Sequence, residues 1–303
     1  MKKLCYAVLG ISLLYILLIV LAYLPHATVP AEELAGPDSS FVTVDGLSIH
    51  YTKKGSGRPL VLVHGFAGSV FTWRNLIPLL SDSYTVYALD LPGFGLSDKP
   101  PEGCYELSCQ ADVLLDFLDA LDIPSAALAG HSMGGIVATC AALAGPQKTE
   151  SLILIEPGFY HGGAPAFLKY LFFPLDRLMA RIFYTRAVRT KSLLPSYYDK
   201  SVVTDDVIEA YLQPGKTTNA VEAMAAMMRE VGPQQYTDLS TGVTRPTLLV
   251  WSGNNTAIPL EDGLRLQKEI AGSELTVISA CGHYVQEEKP QELASAMQRF
   301  LNR

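Results

Sequence analysis

The feature that most constrains the fold is a tight turn, Gly130-His-Ser-Met-Gly-Gly135, between the apolar run Ala126–Ala129 and a segment of helical character. In a Gly-x-Ser-x-Gly turn from strand to helix, the central Ser132 takes a strained backbone conformation, and the glycines let neighbouring chain pass close by. The Ser132 hydroxyl would then lie at the end of a sheet, beside the free N–H groups of a helix N-terminus. Ser132 is therefore the first candidate functional residue. The alternative is a glycine-rich turn whose serine has no chemical role.

Continuous apolar runs alternate with helix-like segments along most of the chain. A hairpin signal at Asp45-Gly46 comes first, and the later apolar runs are typical of strands buried on both faces. The predicted buried strands are Pro59–Val63, Tyr84–Leu89, Ala126–Ala129, Ser151–Ile155, Thr247–Trp251 and Glu274–Ile278. The predicted helices lie near residues 70–80, 106–122, 133–144, 260–271 and 289–302. This alternation predicts an α/β domain with a mostly parallel central sheet and helices on both faces.

One interval, from about residue 157 to residue 243, interrupts this alternation. It contains helical periodicity and no clear strand, so it predicts a helical insertion that forms a lid over the strand ends. We therefore expect three parts in the chain. They are an N-terminal segment over residues 1–24, a linker over 25–40, and one domain over 41–303 that carries the lid.

The N-terminal segment is an uncharged apolar run from Leu4 to Leu24, preceded by Lys2 and Lys3. A helix of this length spans about 30 Å, which is enough to cross a bilayer. The alternative is a cleaved signal peptide. Because the lysines precede the run and acidic residues follow it, the sequence predicts a single-pass transmembrane helix with a cytoplasmic N-terminus and the remaining chain outside. Cleavage would instead give a secreted protein.

Net charge, motifs and cysteine positions bear on the ligands that the chain could bind and on disulfide formation. The net charge of −7 argues against nucleic acid as the main partner. The sequence shows no glycine-rich phosphate loop and no metal-ligand spacing, so we expect neither a cofactor nor a metal ion. Cys104 and Cys109 are close enough in sequence to form a disulfide in an oxidising compartment, and two unpaired thiols are the alternative.

Three further segments accompany the turn that contains Ser132. Leu60–Phe66 runs from a strand into a loop, Asp90–Asp98 follows another strand, and Gly282-His283 lies near the C-terminus. In order and spacing, these segments resemble the α/β-hydrolase fold family over roughly residues 41–302. Within that family, the chain is similar to lid-bearing serine hydrolases. These include esterases, monoacylglycerol lipases and carbon–carbon bond hydrolases of ring-cleavage pathways.

The resemblance implies a role for each residue that matches the family pattern. Ser132 would be the nucleophile, which is weak until a base takes its proton. His283 would be that base, since it follows the last predicted strand, at the family's position for the histidine. The oxyanion of the tetrahedral intermediate would be held by the Met133 N–H at the start of a helix and by the Phe66 N–H.

The acidic member of the site departs from the family pattern. The family usually places an aspartate after the strand that includes Trp251, and this chain has Asn255 there. Asparagine can orient an imidazole ring but carries no negative charge. Some family members place the acid after the preceding strand, where this chain has Glu156. Since neighbouring strands end about 5 Å apart, Glu156 could reach the same ring nitrogen. We favour Glu156 and keep Asn255 as the alternative.

A serine nucleophile argues against dehalogenase and epoxide-hydrolase chemistry, which needs a carboxylate in its place. The sequence therefore predicts a serine hydrolase that cleaves carboxylic esters of lipophilic acyl groups through an acyl-enzyme intermediate. Its partners would be a lipophilic ester and, through the N-terminal segment, a membrane. One alternative is a carbon–carbon bond hydrolase on the same scaffold, for which we expect basic side chains in the pocket. The other is a catalytically weak binding protein, suggested by Asn255.

Overall fold

A computed structural model describes residues 2–24, 27–161, 172–230 and 236–303. Parts of the predicted linker (25–26) and of the predicted lid (162–171 and 231–235) lie outside these ranges. The strands are β1 (Ser39–Val44), β2 (Leu47–Lys54), β3 (Arg58–Val63), β4 (Tyr84–Leu89), β5 (Ala126–His131), β6 (Thr149–Ile155), β7 (Thr247–Ser252) and β8 (Glu274–Ile278). The α-helices are α1 (Lys2–Ala22), α2 (Ala31–Leu34), α3 (Ile77–Leu80), α4 (Leu107–Ala120), α5 (Met133–Ala144), α6 (Leu175–Phe183), α7 (Arg186–Leu193), α8 (Asp205–Leu212), α9 (Ala220–Glu230), α10 (Thr237–Ser240), α11 (Leu260–Glu269), α12 (Val285–Glu288) and α13 (Pro290–Leu301).

These strands form one sheet in the order β1-β2-β4-β3-β5-β6-β7-β8. β2 pairs antiparallel with β1 and with β4, and the other neighbouring strands pair parallel. The predicted mostly parallel sheet is therefore confirmed. The hairpin between β1 and β2 turns at Asp45 and Gly46, which both have positive φ angles, 47° and 78°. A two-residue turn with two positive φ angles matches the right-handed twist of the strands.

The sheet carries a hydrophobic layer on each face. Along β3, Leu60 and Leu62 pack into the layer that contains α3 and α13, whereas Val61 and Val63 pack into the layer that contains α4 and α5. All four side chains are fully buried. Because successive strand residues point to opposite faces, a continuous apolar run produces this two-sided burial.

The parallel strand order places the carboxyl ends of β3, β5, β6, β7 and β8 at one edge of the sheet. The segments that follow these strands carry the predicted site residues Phe66, Ser132, Glu156, Asn255 and His283. Helices α6 to α10 lie between β6 and β7, and the described residues of this insertion add no strand to the sheet. The bounds of the insertion and its action as a lid stay predictions.

The N-terminal apolar run is helical, but the prediction of a transmembrane helix is wrong. No helix within the described ranges has both the length and the apolarity that a bilayer crossing requires. The carboxyl-terminal half of α1 instead has partners in the protein. The Tyr15 hydroxyl lies 3.5 Å from the Phe173 carbonyl oxygen, and Arg181 of α6 donates to the carbonyl oxygen of the buried Ala22 at 3.3 Å. By the same finding, the predicted single-pass membrane topology, with a cytoplasmic N-terminus and the remaining chain outside, is wrong.

Cys104 and Cys109 form a disulfide at the start of α4, with their Cα atoms 6.0 Å apart. The structure therefore contains the disulfide. The sequence alone did not decide between this disulfide and two unpaired thiols. The thiols of Cys140 and Cys281 are free.

Candidate active site

Ser132 lies at the junction of β5 and α5, with a φ angle of 53°. Its N–H donates to the Ile155 carbonyl oxygen at 2.9 Å, which holds the turn against the end of β6. Glycine is required on both sides of Ser132. A Cβ atom on Gly130 would lie 2.2 Å from the Gly134 oxygen, and one on Gly134 would lie 2.3 Å from the Val63 oxygen. The turn therefore has the strained geometry that its sequence predicts.

A cavity of about 120 Å³ lies at this edge of the sheet. It is lined by Gly65, Phe66, Gly68, Thr72, His131, Ser132, His283 and Tyr284. Three of the predicted site residues, Phe66, Ser132 and His283, thus share one cavity. No trio of histidine, cysteine or acidic side chains that could hold a metal ion occurs in the described chain.

Two backbone N–H groups lie beside Ser132. Met133 is the first residue of α5, where an N–H has no intrahelical acceptor. Phe66 lies in the loop after β3 and lines the cavity. Neither N–H has a hydrogen-bond partner among the described residues. Both N–H groups therefore remain available as donors, and their role in holding an oxyanion stays a prediction.

His283 is held in place through its main chain and one ring nitrogen. Its N–H donates to the Ser196 carbonyl oxygen at 2.7 Å, and its Nδ1 lies 3.0 Å from the Asn255 Nδ2. Burial lowers the pKa of His283 to about 4, so the ring is neutral near pH 7. The described residues include no hydrogen bond between His283 and Ser132. Catalytic hydrogen bonds are often long in a substrate-free site and tighten when substrate binds.

His131 supports His283, a role that the sequence did not reveal. Its Nε2–H donates to the His283 carbonyl oxygen at 2.8 Å, and the two ring centroids lie 4.6 Å apart. Burial and the neighbouring His283 together hold the pKa of His131 well below its usual value. The variable position of the turn is therefore occupied by a neutral, packed side chain that fixes the loop carrying His283.

Asn255 lies between Glu156 and His283. The Asn255 Nδ2 donates to the Glu156 Oε2 at 2.6 Å, and the Glu156 Oε1 accepts the Ser252 N–H at 2.5 Å. Glu156 is fully buried, and burial raises its pKa to about 8, although both hydrogen bonds act in the opposite direction. Glu156 makes no hydrogen bond to the His283 ring. The strand order accounts for this arrangement, since β7 lies between β6 and β8.

Arg189 of α7 is a further residue near the cavity, and sequence reasoning missed it. Its side chain is 4% exposed, and its Nη2 donates to the Ala67 carbonyl oxygen at 2.6 Å. The guanidinium lies 5.2 Å from the Phe183 ring centroid and 4.9 Å from that of Tyr211. No carboxylate among the described residues pairs with it, and its Nε has no hydrogen-bond partner there. Nothing in the sequence distinguished Arg189 from the other basic residues of the insertion.

Comparisons with known proteins agree with this fold. A model of the alpha/beta hydrolase family matches residues 60–296. The uncharacterized hydrolase YugF of Bacillus subtilis is 32% identical, and the match covers 89% of this chain and 99% of that protein. A 2-hydroxy-6-oxononadienedioate/2-hydroxy-6-oxononatrienedioate hydrolase of Cupriavidus pinatubonensis is 31% identical, over 91% of this chain and 99% of that one. The solved meta-cleavage product hydrolase CumD of Pseudomonas fluorescens matches with a TM-score of 0.74 and 26% identity, over 87% of this chain and 97% of CumD.

Proposed function

The chain belongs to the alpha/beta hydrolase family, and we propose that it hydrolyses a carbon–carbon bond next to a ketone in an acidic substrate, with Ser132 as the nucleophile. By its name, the relative from Cupriavidus pinatubonensis hydrolyses a hydroxy-oxo dicarboxylate, and CumD is a meta-cleavage product hydrolase. Both names favour carbon–carbon bond hydrolysis over hydrolysis of lipophilic esters, which was our first prediction from the sequence.

Arg189 is the observation that supports an acidic substrate. A guanidinium is charged at every accessible pH, and a buried charge without a counter-ion is unfavourable. Arg189 is buried next to the Phe66–Ala67 loop, and its known partner is a neutral carbonyl oxygen. A substrate carboxylate bound beside this loop would supply the missing negative charge. Sequence analysis expects a basic side chain in the pocket of a carbon–carbon bond hydrolase, and Arg189, which donates to the loop that carries Phe66, is our candidate for it.

The first half of the proposed reaction forms an acyl-enzyme. The Ser132 Oγ attacks the ketone carbon while His283 takes the hydroxyl proton. The resulting oxyanion accepts hydrogen bonds from the Phe66 and Met133 N–H groups, and loss of one such donor typically slows a reaction by about 10²- to 10³-fold. The carbon–carbon bond then breaks, and the departing carbon receives the proton from His283.

The second half releases the acid. Water attacks the acyl carbon, its proton passes through His283, and the Ser132 Oγ leaves with a proton restored. The net change is the addition of one water molecule, which yields a carboxylic acid and a protonated carbon fragment. Ester hydrolysis would use the same steps with an oxygen leaving group, so a neutral ester is a direct comparison substrate.

Arg189→Met tests the substrate class. We expect the variant to raise KM for a 2-hydroxy-6-oxo dienoic acid by about 10- to 100-fold, because a charged hydrogen bond to the substrate contributes about 1.5–3 kcal/mol. We expect little change for p-nitrophenyl esters of uncharged acids, which make no such contact. Steady-state kinetics on both substrate types gives the comparison.

Arg186→Met is the matched control, because Arg186 lies on the same helix but is exposed and paired with Asp205 and Glu209. It should leave both substrates unaffected. Turnover of esters alone, with no turnover of the ketonic acid, would return the assignment to ester hydrolysis. An equal effect of Arg189→Met on both substrates would remove Arg189 as the carboxylate partner.

A further inference from the structure

The orientation of the Asn255 side-chain amide follows from its neighbours. Its Oδ1 accepts the N–H groups of Ala257 at 2.8 Å and Ile258 at 3.2 Å. Its Nδ2 lies 2.6 Å from the Glu156 Oε2 and 3.0 Å from the His283 Nδ1. An amide oxygen only accepts hydrogen bonds and an amide NH₂ only donates them. All four contacts are satisfied in this orientation.

The reverse orientation is opposed at the two backbone contacts. A half-turn of the amide would place its NH₂ group against the N–H donors of Ala257 and Ile258, and both backbone groups would lose their acceptor. Unpaired polar groups in a buried site are unfavourable, and the network therefore selects a single orientation.

This orientation decides which ring nitrogen of His283 carries the proton. The Nδ2–H of Asn255 points at Nδ1, so Nδ1 must offer its lone pair. A neutral imidazole has one proton, and it then resides on Nε2. Burial keeps the ring neutral, since it lowers the pKa of His283 to about 4.

We propose that Asn255 locks His283 in the tautomer with its proton on Nε2, and that Ser132 is therefore a slow nucleophile at rest. The inference rests on the function proposed above, in which His283 accepts the Ser132 proton. In acylation the O–H bond of Ser132 breaks, the proton moves to Nε2, and Oγ bonds to the carbonyl carbon. A protonated Nε2 has no lone pair to accept that proton. An aspartate in place of Asn255 has the opposite effect, because it accepts the Nδ1–H and leaves Nε2 free.

Glu156 acts in this arrangement as a positioning residue. Its carboxyl accepts the second N–H of the Asn255 amide and the Ser252 N–H. It therefore influences His283 through Asn255 and not by direct contact. The order of the three side chains is therefore Glu156, Asn255, His283, with the amide group next to the histidine. A carboxyl group and an amide group have nearly the same size and shape.

Exchange of the two groups is the sharpest test. The double variant Asn255→Asp/Glu156→Gln keeps one carboxyl and one amide group and places the carboxyl next to His283. The new amide at 156 can donate to that carboxylate and accept the Ser252 N–H. Nitrogen-15 NMR on the full chain with labelled histidine reports which ring nitrogen is protonated. We expect Nε2 in the wild type and Nδ1 in the double variant.

The rate at which a fluorophosphonate labels Ser132 is the second readout. We expect the double variant to label about 10- to 10⁴-fold faster than the wild type, the upper value being the effect of a wrong tautomer in a serine protease. Asn254→Asp is the matched control. Its exposed side chain accepts the Ala280 N–H, so the substitution adds a charge one residue away without a contact to His283. It should change neither readout.

Three results bear on the proposal. A proton on Nδ1 of wild-type His283 overturns it, and this measurement does not depend on whether the double variant folds. Labelling of the wild type as fast as that of a folded double variant overturns it as well. If neither protein is labelled while Nε2 carries the proton, the lock stands and the proposed hydrolytic function fails.

Discussion

The pKa of the Glu156 carboxyl group differs strongly from that of a solvated carboxyl group. It is fully buried, and its pKa rises from 4.5 to about 8 because burial disfavours the charged form. The folded state thus binds the Glu156 proton more tightly than the unfolded state does. The resulting contribution to stability is fully present below a pH of about 4.5 and is lost as the pH rises through about 8.

Glu156→Gln should remove this pH dependence, because an amide does not ionise. Between roughly pH 5 and pH 9, we expect the wild type to lose on the order of a few kcal/mol of unfolding free energy relative to the variant. Urea unfolding at a series of pH values measures the difference in unfolding free energy between wild type and variant. The contributions of the other titrating groups are the same in both proteins and largely cancel. The exposed Glu261→Gln serves as the control. A wild-type-to-variant difference that stays constant across the range would contradict the buried-carboxyl account.

The candidate site could be predicted in part from individual residues. Ser132 and His283 follow from a local motif and from chain order, and the structure places both at one cavity. The position of Asn255 between Glu156 and His283 depends on the order of β6, β7 and β8, which no local pattern encodes. Arg189 was missed for the same reason, since its burial depends on how α7 packs against the loop after β3.

At the scale of elements, strands were easier to predict than helices. The predicted runs Tyr84–Leu89 and Glu274–Ile278 match β4 and β8 residue for residue. For β4 the reason is that a strand buried on both faces leaves a nearly continuous apolar signal, whereas β8 is a partly buried edge strand. The helix predicted near 70–80 is two short turns, a 3₁₀ helix over Val70–Trp73 and α3. Trp73 and Leu80 face the same hydrophobic layer, so helical periodicity alone could not separate two turns from one helix.

The contact between β3 and α5 depends on Gly134. A Cβ atom there would lie 2.3 Å from the Val63 oxygen and 2.4 Å from the His64 oxygen, and both are backbone atoms. Gly134→Ala should therefore push α5 away from β3, with a loss of about 3 kcal/mol or more in unfolding free energy. The midpoint of urea unfolding measures this effect.

Gly36→Ala is the control for that substitution. Its added Cβ atom would have no neighbour within 4 Å, so we expect unfolding free energy to change little. Equal effects of the two substitutions would show that the close approach at Gly134 does not hold the turn.

For the whole molecule, the order of the motifs predicted the fold, but the apolar N-terminal run was misinterpreted. A hydropathy pattern does not show what a helix packs against. Ala22 of α1 contacts Arg181 of α6, and Tyr15 of α1 contacts Phe173, just before α6. The following segment also contacts the insertion, since the Val29 N–H donates to the Lys216 carbonyl oxygen at 2.8 Å. These contacts join chain segments that lie between 158 and almost 190 residues apart, and sequence patterns carry no signal for them.

We propose that this chain is a hydrolase with Ser132 as its nucleophile. The most direct measurement is the intact mass of the full chain after prolonged exposure to a fluorophosphonate, followed by mapping of the labelled peptide. We predict one adduct per chain, located on Ser132 and absent from Ser132→Ala. An adduct that persists in Ser132→Ala, or a wild type that stays unlabelled, would contradict the account.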